Sequence, residues 1–325
     1  MKAQSTVSGV PRLSIGFPVY NGEKFLRQAL DSLLQQSFTD FELIISDNAS
    51  HDKTGEICLE YANEDRRIYY YRNEENIGVD RNFNRTFQLS RGEYFRWTAA
   101  DDISAPVLLG ECVSVLDASP DVVLTYPKSR YIDEYSQVIR DYEDRLHLDS
   151  PAPHRRLAKY LRNIDMCNAA FGLIRSSVLR QTDLYGAYAD SDIVLLGELA
   201  LYGRFHEIPK TLFFRRIHPD IAVRKYPTAQ ERMAMSEPKL AGKLFFPHWK
   251  VLSGLFGAIQ KCPLGLWEKA LCYAQMRVWA WRERLQLERD LRYATRQLAR
   301  KIFRRGQARV GRDSSLSGET NNTTQ

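Results

Sequence analysis

Little in this 325-residue sequence is apolar for long. The longest uncharged apolar run, VLSGLFGAI at 251–259, is less than half of the roughly 20 residues that cross a bilayer as a helix. The opening, MKAQSTVSGVPRLSIGF, has no basic-then-apolar leader pattern, so export is not expected and the Asn-x-Ser/Thr triplets at Asn48 and Asn321 mean little. Cysteine is sparse: Cys58, Cys112, Cys167, Cys262 and Cys272 are odd in number, scattered and never in a C-x-x-C pair. That excludes a disulfide framework and a zinc ribbon and fits a reducing compartment. Also missing are G-x-G-x-x-G, G-x-x-x-x-G-K-[ST] and G-x-S-x-G, which removes the usual dinucleotide, P-loop and hydrolase signatures. HEIPK at His206 is half of a zinc-protease pattern, but it lacks the second histidine and contains Pro209.

What is there is an ordinary globular composition, 44% hydrophobic and 26% charged, enough for one large core or two smaller ones. The net charge of +6 is unevenly placed. Residues 240–312 hold 16 Lys/Arg against 4 Asp/Glu, so this segment carries +12 and the rest of the chain −6. An acidic-leaning part with a basic helical annex is the implied layout.

Through the first half, short β-rich runs alternate with helical patterns: RLSIGFPVY, GEKFLRQALDSLLQQ, FELIISD, DKTGEICLEYANED, RIYYYRN, DRNFNRTFQLS, EYFRWTAA, APVLLGECVSVLDAS, VVLTYP. Strand alternating with helix at this pace predicts βαβ units and a largely parallel sheet. Phe25, Ala29, Leu30, Leu33 and Leu34 recur at helical spacing and give one helix a face for that sheet. Further on, NAAFGLIRSSVL reads as a strand and a helix start, SDIVLLGELALYG as a helix, and RFHEIPKTLFFRRIHPD as a turn-linked strand pair. Beyond Pro227 strands disappear, and the segment from Leu266 reads as one long or bent helical region. The last residues are polar and are expected to be disordered.

Ligands of such sheets gather at the carboxyl ends of strands. Three strands here finish in acids or amides: PVYN, SDNASHD and AADD. Singly, each has a plain explanation. Asp101, Asp102 or Ser104 suits a cap for the helix near Pro106, and Asp47 and Asp52 suit the helix that follows them. Together, in this order and spacing, they point to a site.

The whole order resembles the family 2 glycosyltransferases of A-type nucleotide-sugar-binding fold. The matching pieces are IGFPVYNGEKFLRQALDSLLQQSFTDFELIISDNASHDKT, NIGVDRNFNRTFQLSRGEYFRWTAADD, FGLIRSSVL, SDIVLLGELALYG and FFRRIHP, over roughly residues 11–220. The resemblance implies an α/β fold with a mostly parallel central sheet flanked by helices, followed by a C-terminal helical extension. It implies that Pro18, Tyr20, Asn21 and Asp47 hold the nucleoside, with Arg81 a further contact and Ala100 and Arg216 on the donor. The family's Asp-x-Asp-Asp motif reads Ala99-Ala100-Asp101-Asp102 here, so the ribose-binding acid is replaced while Asp101 keeps the metal-gripping place. A carboxylate oxygen there suits Mg²⁺ or Mn²⁺ bridged to the diphosphate. His218 matches a late histidine toward metal or diphosphate, and Arg215 and Arg216 suit phosphate oxygens. Asp192 falls at the catalytic base, with Ser191 in place of the usual preceding acid and Asp190 a rival; the terminus of its helix favours the ionised form.

The expectation is therefore an inverting, metal-dependent transferase. It would move a sugar from a nucleotide diphosphate sugar to a hydroxyl of a saccharide or lipid-linked glycan, in polysaccharide synthesis. A nucleotidyltransferase of related architecture and a non-catalytic nucleotide-sugar or glycan-binding protein are the alternatives. The first usually opens with a glycine-rich loop absent here, and Ala99 is what favours the second. The expected layout is a catalytic domain over 1–226 with halves at about 11–127 and 128–226, a basic extension over 227–305 and a tail over 306–325. In the extension, LCYAQMRVWAW supplies a packed face with arginines around it. Its basic side either rests on an anionic membrane or is merely solvated; nucleic acid is not an expected partner. The expected location is cytoplasmic, with a peripheral seat on the inner face of the membrane as the version that uses the basic helices.

Overall fold

The computed structural model describes residues 9–225, 229–236 and 245–296. The predicted tail and the far end of the basic segment lie outside the described residues. In chain order the strands are β1 (Leu13–Val19), β2 (Phe41–Asp47), β3 (Ile68–Arg72), β4 (Tyr94–Trp97), β5 (Ile103–Ser104), β6 (Val122–Ile132), β7 (Val138–Tyr142), β8 (Leu173–Arg175) and β9 (Arg204–Arg216). The helices are α1 (Glu23–Leu34), α2 (Thr54–Glu64), α3 (Val79–Gln88), α4 (Leu108–Ala118), α5 (Pro153–Asn163), α6 (Ser176–Leu179), α7 (Ser191–Tyr202), α8 (Ala222–Lys225), α9 (Ala229–Ser236), α10 (Pro247–Lys261) and α11 (Leu266–Arg282).

One nine-stranded sheet runs β3-β2-β1-β4-β8-β6-β9-β5, with β7 added to β6. β1 to β4 are mutually parallel, and β1 and β2 are buried along their whole length, as strands covered on both faces must be. Leu13, Ile15 and Phe17 have no exposed surface, each contributing about 1.5–3 kcal/mol of burial. Gly16 lets α3 close on β1, because a Cβ there would lie 2.3 Å from Thr86 Oγ1. The second half is mixed. β8 is antiparallel to both β4 and β6, whereas β6 and β9 are parallel.

β9 corrects one expectation: it is a single 13-residue strand, not a turn-linked pair. The pairing jumps from Pro127↔Ile208 to Lys128↔Thr211, so Pro209 and Lys210 are accommodated as an irregularity in a continuous strand.

The sheet separates two cores. Alternating residues split between them: Tyr94 and Leu173 join the layer of α1, α2 and α4, while Phe95 and Ile174 join the layer of α5, α7, α10 and α11. The site-bearing loops lie at the carboxyl ends of β1, β2 and β4, and α7 presents its N-terminus among them.

Candidate active site

The loop after β1 and the loop after β2 clasp each other. The Gly22 amide donates to Thr54 Oγ1 at 2.8 Å, the Glu23 amide to Asp52 at 3.1 Å, and the Lys53 amide back to Glu23 at 2.9 Å. The first amides of α1 are thus capped from a different loop. Asn21 adopts a left-handed φ of 50°, and its side-chain oxygen accepts from the His51 amide. Tyr20 beside it stays exposed, and Pro18 lies buried within β1.

Asp47, fully buried at the end of β2, accepts from the Ser50 amide, Tyr70 Oη at 2.9 Å and Arg72 Nη1 at 2.8 Å. Below it is an amide lattice that sequence reasoning missed. Asn73 donates to Asn48 and Asn82, Ser46 donates to Asn82, and the Ile77 amide donates to Asn48. This lattice holds the NIG loop against the end of β2 and aims the first turn of α3, where Arg81 stands exposed. The repeated asparagines in DNAS, RN, NIG and RNFN were its only sequence signal.

The doubled acid after β4 divides its work. Asp102 is buried, and its Oδ1 accepts from the Arg216 amide at 2.9 Å, so it ties the β4 loop to the end of β9. Burial first, and the Asp101 charge second, push its carboxyl up to about 7. It caps no helix: α4 starts after Val107 without a side-chain cap. Asp101 keeps 31% of its side chain exposed, and its Oδ2 lies 3.0 Å from His218 Nε2. These two residues, 117 apart in sequence, are brought together because the Ile217 amide pairs with Ile132 O and prolongs the β6–β9 pairing past Arg216. The His218 ring packs on Phe25 of α1 at 4.9 Å, and its Nδ1 is buried with no hydrogen-bond partner. Ala100 faces Gly22, where a Cβ would stand 3.3 Å from the alanine methyl.

Arg216 is a brace, not a surface cation. It is 1% exposed and donates to Asp101 O, Asp133 O, Ser136 Oγ and Gln28 Oε1, with its guanidinium over Phe25. One side chain therefore fixes the Asp101 backbone, α1 and the turn between β6 and β7. Arg96, fully buried in β4, was also missed; it donates to Phe171 O and Ser104 Oγ, and burial lowers it to about 10.

A second acidic group surrounds the N-terminus of α7. Asp190 has a left-handed φ of 64° and faces Arg232 at 3.7 Å. Ser191 donates to Asp80 at 3.3 Å, joining α7 to the first turn of α3. Asp192 accepts from the Ile193 amide at 2.9 Å. Burial, then the Asp190 charge, raise the Asp192 carboxyl despite the opposing Arg215, so the expected lowering at the helix terminus is outweighed. Asp80 rises to about 7, chiefly through burial. Arg215 bonds to Met166 O and the Asn168 side chain, and its charge is felt by Asp102, Asp144 and Asp192 alike. It links the two acidic groups.

Among the described residues no three His, Cys, Asp or Glu side chains are placed to hold a metal. Asp101 and His218 offer one carboxylate oxygen and one imidazole ring, with a buried ring nitrogen still unpartnered. That donor set fits a divalent ion of the Mg²⁺ or Mn²⁺ kind that takes its other ligands from phosphate oxygens and water.

A half-parallel sheet with acidic strand ends, closed by a histidine after its long last strand, defines the A-type glycosyltransferase fold. Residues 14–182 match the model of the family described as glycosyl transferase family 2, and the chain belongs to that family. Among curated relatives it is 30% identical over 135 residues to an uncharacterized glycosyltransferase of Methanocaldococcus jannaschii, covering 41% of this chain and 47% of that one. It is 35% identical over 134 residues to an uncharacterized glycosyltransferase of Rickettsia typhi, covering 41% and 40%. The matched part thus spans less than half the length of these relatives. The fold is similar to that of Staphylococcus aureus TarS 1-349 in complex with UDP-GlcNAc, with a TM-score of 0.62 at 17% identity over 88% of this chain and 81% of that one. A likeness also extends to the mannosyltransferase PcManGT from Pyrobaculum calidifontis in complex with GDP-Man and Mn²⁺, with a TM-score of 0.50 at 16% identity over 91% and 88%. No described helix is long and apolar enough to cross a membrane.

Proposed function

We propose that the protein is an inverting, divalent-metal-dependent glycosyltransferase. It takes a sugar from a nucleotide diphosphate donor and places it on a hydroxyl of a saccharide or lipid-linked glycan, in polysaccharide synthesis. The observation that carries this reading is the meeting of Asp101 Oδ2 and His218 Nε2 at 3.0 Å on the strand-end face. Neighbours of the same fold bind UDP-GlcNAc, or GDP-Man with Mn²⁺, and support a nucleotide-sugar donor.

In this reading Pro18, Tyr20, Asn21, Asp47, Arg81 and Ala100 form the nucleotide side. Asp47 acts through the ordered loop it anchors, since three donors already occupy its oxygens. Asp101 and His218 would hold the ion, which would supply charge neutralisation for the diphosphate leaving group. Arg216 positions Asp101 and carries no phosphate itself. Asp192 removes the acceptor proton, and its raised carboxyl brings it closer to a base suited to neutral pH. The β6–β7 turn, held by Arg216, and the neighbouring loops to residue 170 keep water from the donor. The basic helices give the enzyme a peripheral seat on the cytoplasmic face of a membrane.

The test is a panel of nucleotide sugars read by thermal shift and by nucleotide diphosphate release, with Mn²⁺ and with EDTA. One donor should raise the melting temperature and release nucleotide diphosphate only with the ion. Release of sugar 1-phosphate, the group that leaves when the nucleotidyl phosphorus is attacked, would point to nucleotidyl transfer instead. Binding without turnover on any acceptor would leave a carrier protein.

A further inference from the structure

α11 is apolar on two faces. Cys272, Met276 and Trp279 are buried in the core shared with α5 and α10. On the opposite side Trp267, Ala270, Ala274, Val278 and Trp281 recur every three or four residues and form one stripe, which Leu285 continues just past the C-cap of α11 at Glu283. Trp267 is 75% exposed, Val278 59%, Trp281 70% and Leu285 66%, and no described residue covers them. The stripe is about 30 Å long at 1.5 Å per residue. Scattered exposed apolar residues are normal on a protein surface; a continuous row with two tryptophans marks an interaction surface.

The charges beside the stripe name the partner. By helical position Arg277 and Arg284 edge it on one side and Arg282 and Arg289 on the other, all exposed. The Arg284 guanidinium sits 4.6 Å from the Trp281 ring centre. Residues 245–296 carry nine Lys/Arg against four Asp/Glu. Three of those acids are already engaged, Glu268 with His154 at 2.9 Å, Asp290 with His248 at 3.0 Å and Glu288 with Arg292 at 2.8 Å. An apolar stripe between rows of arginine, with tryptophan as its largest side chain, complements an anionic lipid interface. A nucleic acid would meet the arginines but leave Val278 and Leu285 in water.

We propose that the outward face of α11, continued by the helical residues 284–296, is a monotopic binding face that lies in the interface of an anionic bilayer. Trp267, Val278, Trp281 and Leu285 enter the acyl boundary, and the flanking arginines stay at the level of the lipid phosphates. This deepens the peripheral-transferase reading by naming the attachment surface, and it predicts that the acceptor is lipid-linked. Unlike the charged-face expectation, it places the main contribution in the tryptophans.

The experiment uses the full chain with vesicles of phosphatidylcholine alone or mixed with phosphatidylglycerol. Wild type should float with the anionic vesicles, with a blue shift of tryptophan emission. Trp267→Ser with Trp281→Ser should weaken partitioning by about tenfold or more, because burial of apolar groups sets interfacial affinity. Its melting temperature and its release of nucleotide diphosphate from a donor should stay unchanged. Arg277→Gln with Arg284→Gln should weaken binding only to the anionic vesicles and flatten its salt dependence. Equal wild-type binding to both vesicles, no binding, or wild-type behaviour of the tryptophan variant would each overturn the proposal. So would a solution dimer that the tryptophan variant splits, since the face would then belong to a second copy of the chain. Vesicle binding without donor turnover would sink the transferase reading and leave this one standing.

Discussion

At one end of the strand-end face, Asp101 and Asp102 stand side by side with different fates: the first is partly exposed against His218, the second buried and spent on the Arg216 amide. At the other end, Asp80, Asp190 and Asp192 crowd the start of α7, with Arg215 and Arg232 as the nearby cations. Both groups are acidic, yet the first is braced by Arg216 and by backbone pairing and leaves one carboxylate oxygen and one ring for a ligand. Asp102 in the first is raised too, but its oxygen is spent on the Arg216 amide, whereas the second holds two of its acids above their ordinary range by burial and neighbouring negative charge. The contrast separates a place built to grip a cation from a place built to keep and pass a proton.

The largest effect should come from the cation end. Asp101→Asn should abolish Mn²⁺-dependent donor binding and cut transfer by on the order of a thousandfold, as the charge stabilisation of the leaving group goes with the ion. Asp102→Asn keeps an acceptor oxygen for the Arg216 amide, so metal dependence should survive in it. The reverse ranking, measured by isothermal titration with nucleotide diphosphate, would break the division of labour between the two.

Asp192→Asn should leave the fold and donor affinity intact while transfer falls roughly a hundredfold or more, the usual contribution of a general base. Near-normal turnover in that variant would remove the base from α7. A collapse in Asp190→Asn of the same size would move the role two residues earlier.

A smaller effect sharpens the electrostatic side of the comparison. Asp192 must be ionised to take a proton, so transfer should rise with pH along a limb lying above the ordinary carboxylate range. Asp190→Asn deletes the like charge, the second cause of that rise after burial, and the limb should move to lower pH. Arg215 opposes the rise, and the charges of Asp192 and Asp190 in turn raise the nearby Asp80. A pH profile of kcat/KM that stays in place in Asp190→Asn would show that burial alone sets the limb.

How far the sequence carried is itself uneven in the same way. The parallel half was legible because strands buried on both faces read as unbroken apolar runs between helical patterns, and the acids at their ends stood out. The β8 insertion and the continuity of β9 were not, since Pro209 reads locally as a turn and only pairing with β6 overrides it. Arg216 reads as a phosphate ligand in the sequence because a buried guanidinium whose neighbours all accept from it cannot be told from an exposed one by spacing. Asn48, Asn73 and Asn82 carried no role in the sequence reading, although together they lock the ends of β2 and β3 to the first turn of α3. In α11 the pattern LCYAQMRVWAW predicted a packed face and there is one, but two apolar faces share one helix and periodicity cannot say which is covered.

The smallest expected effect concerns Asp80, which belongs to the proton end through Ser191 yet touches no proposed ligand. Its carboxyl is raised from the ordinary 3.8 to about 7, so the folded chain keeps a proton that the unfolded chain has lost between those values. With the unfolded state binding fewer protons there, stability must fall as pH climbs through that window, and the full loss is present above it. Asp80→Asn removes the titrating group while keeping an oxygen for Ser191. The variant should therefore melt close to wild type at pH 4 and progressively higher than wild type toward pH 8. A melting difference that is the same at both ends would mean that Asp80 is ionised in the native protein throughout. The Asp80–Asp190–Asp192 group would then be an ordinary charged cluster rather than a store for a proton, and its contrast with Asp101 and Asp102 would lose its basis.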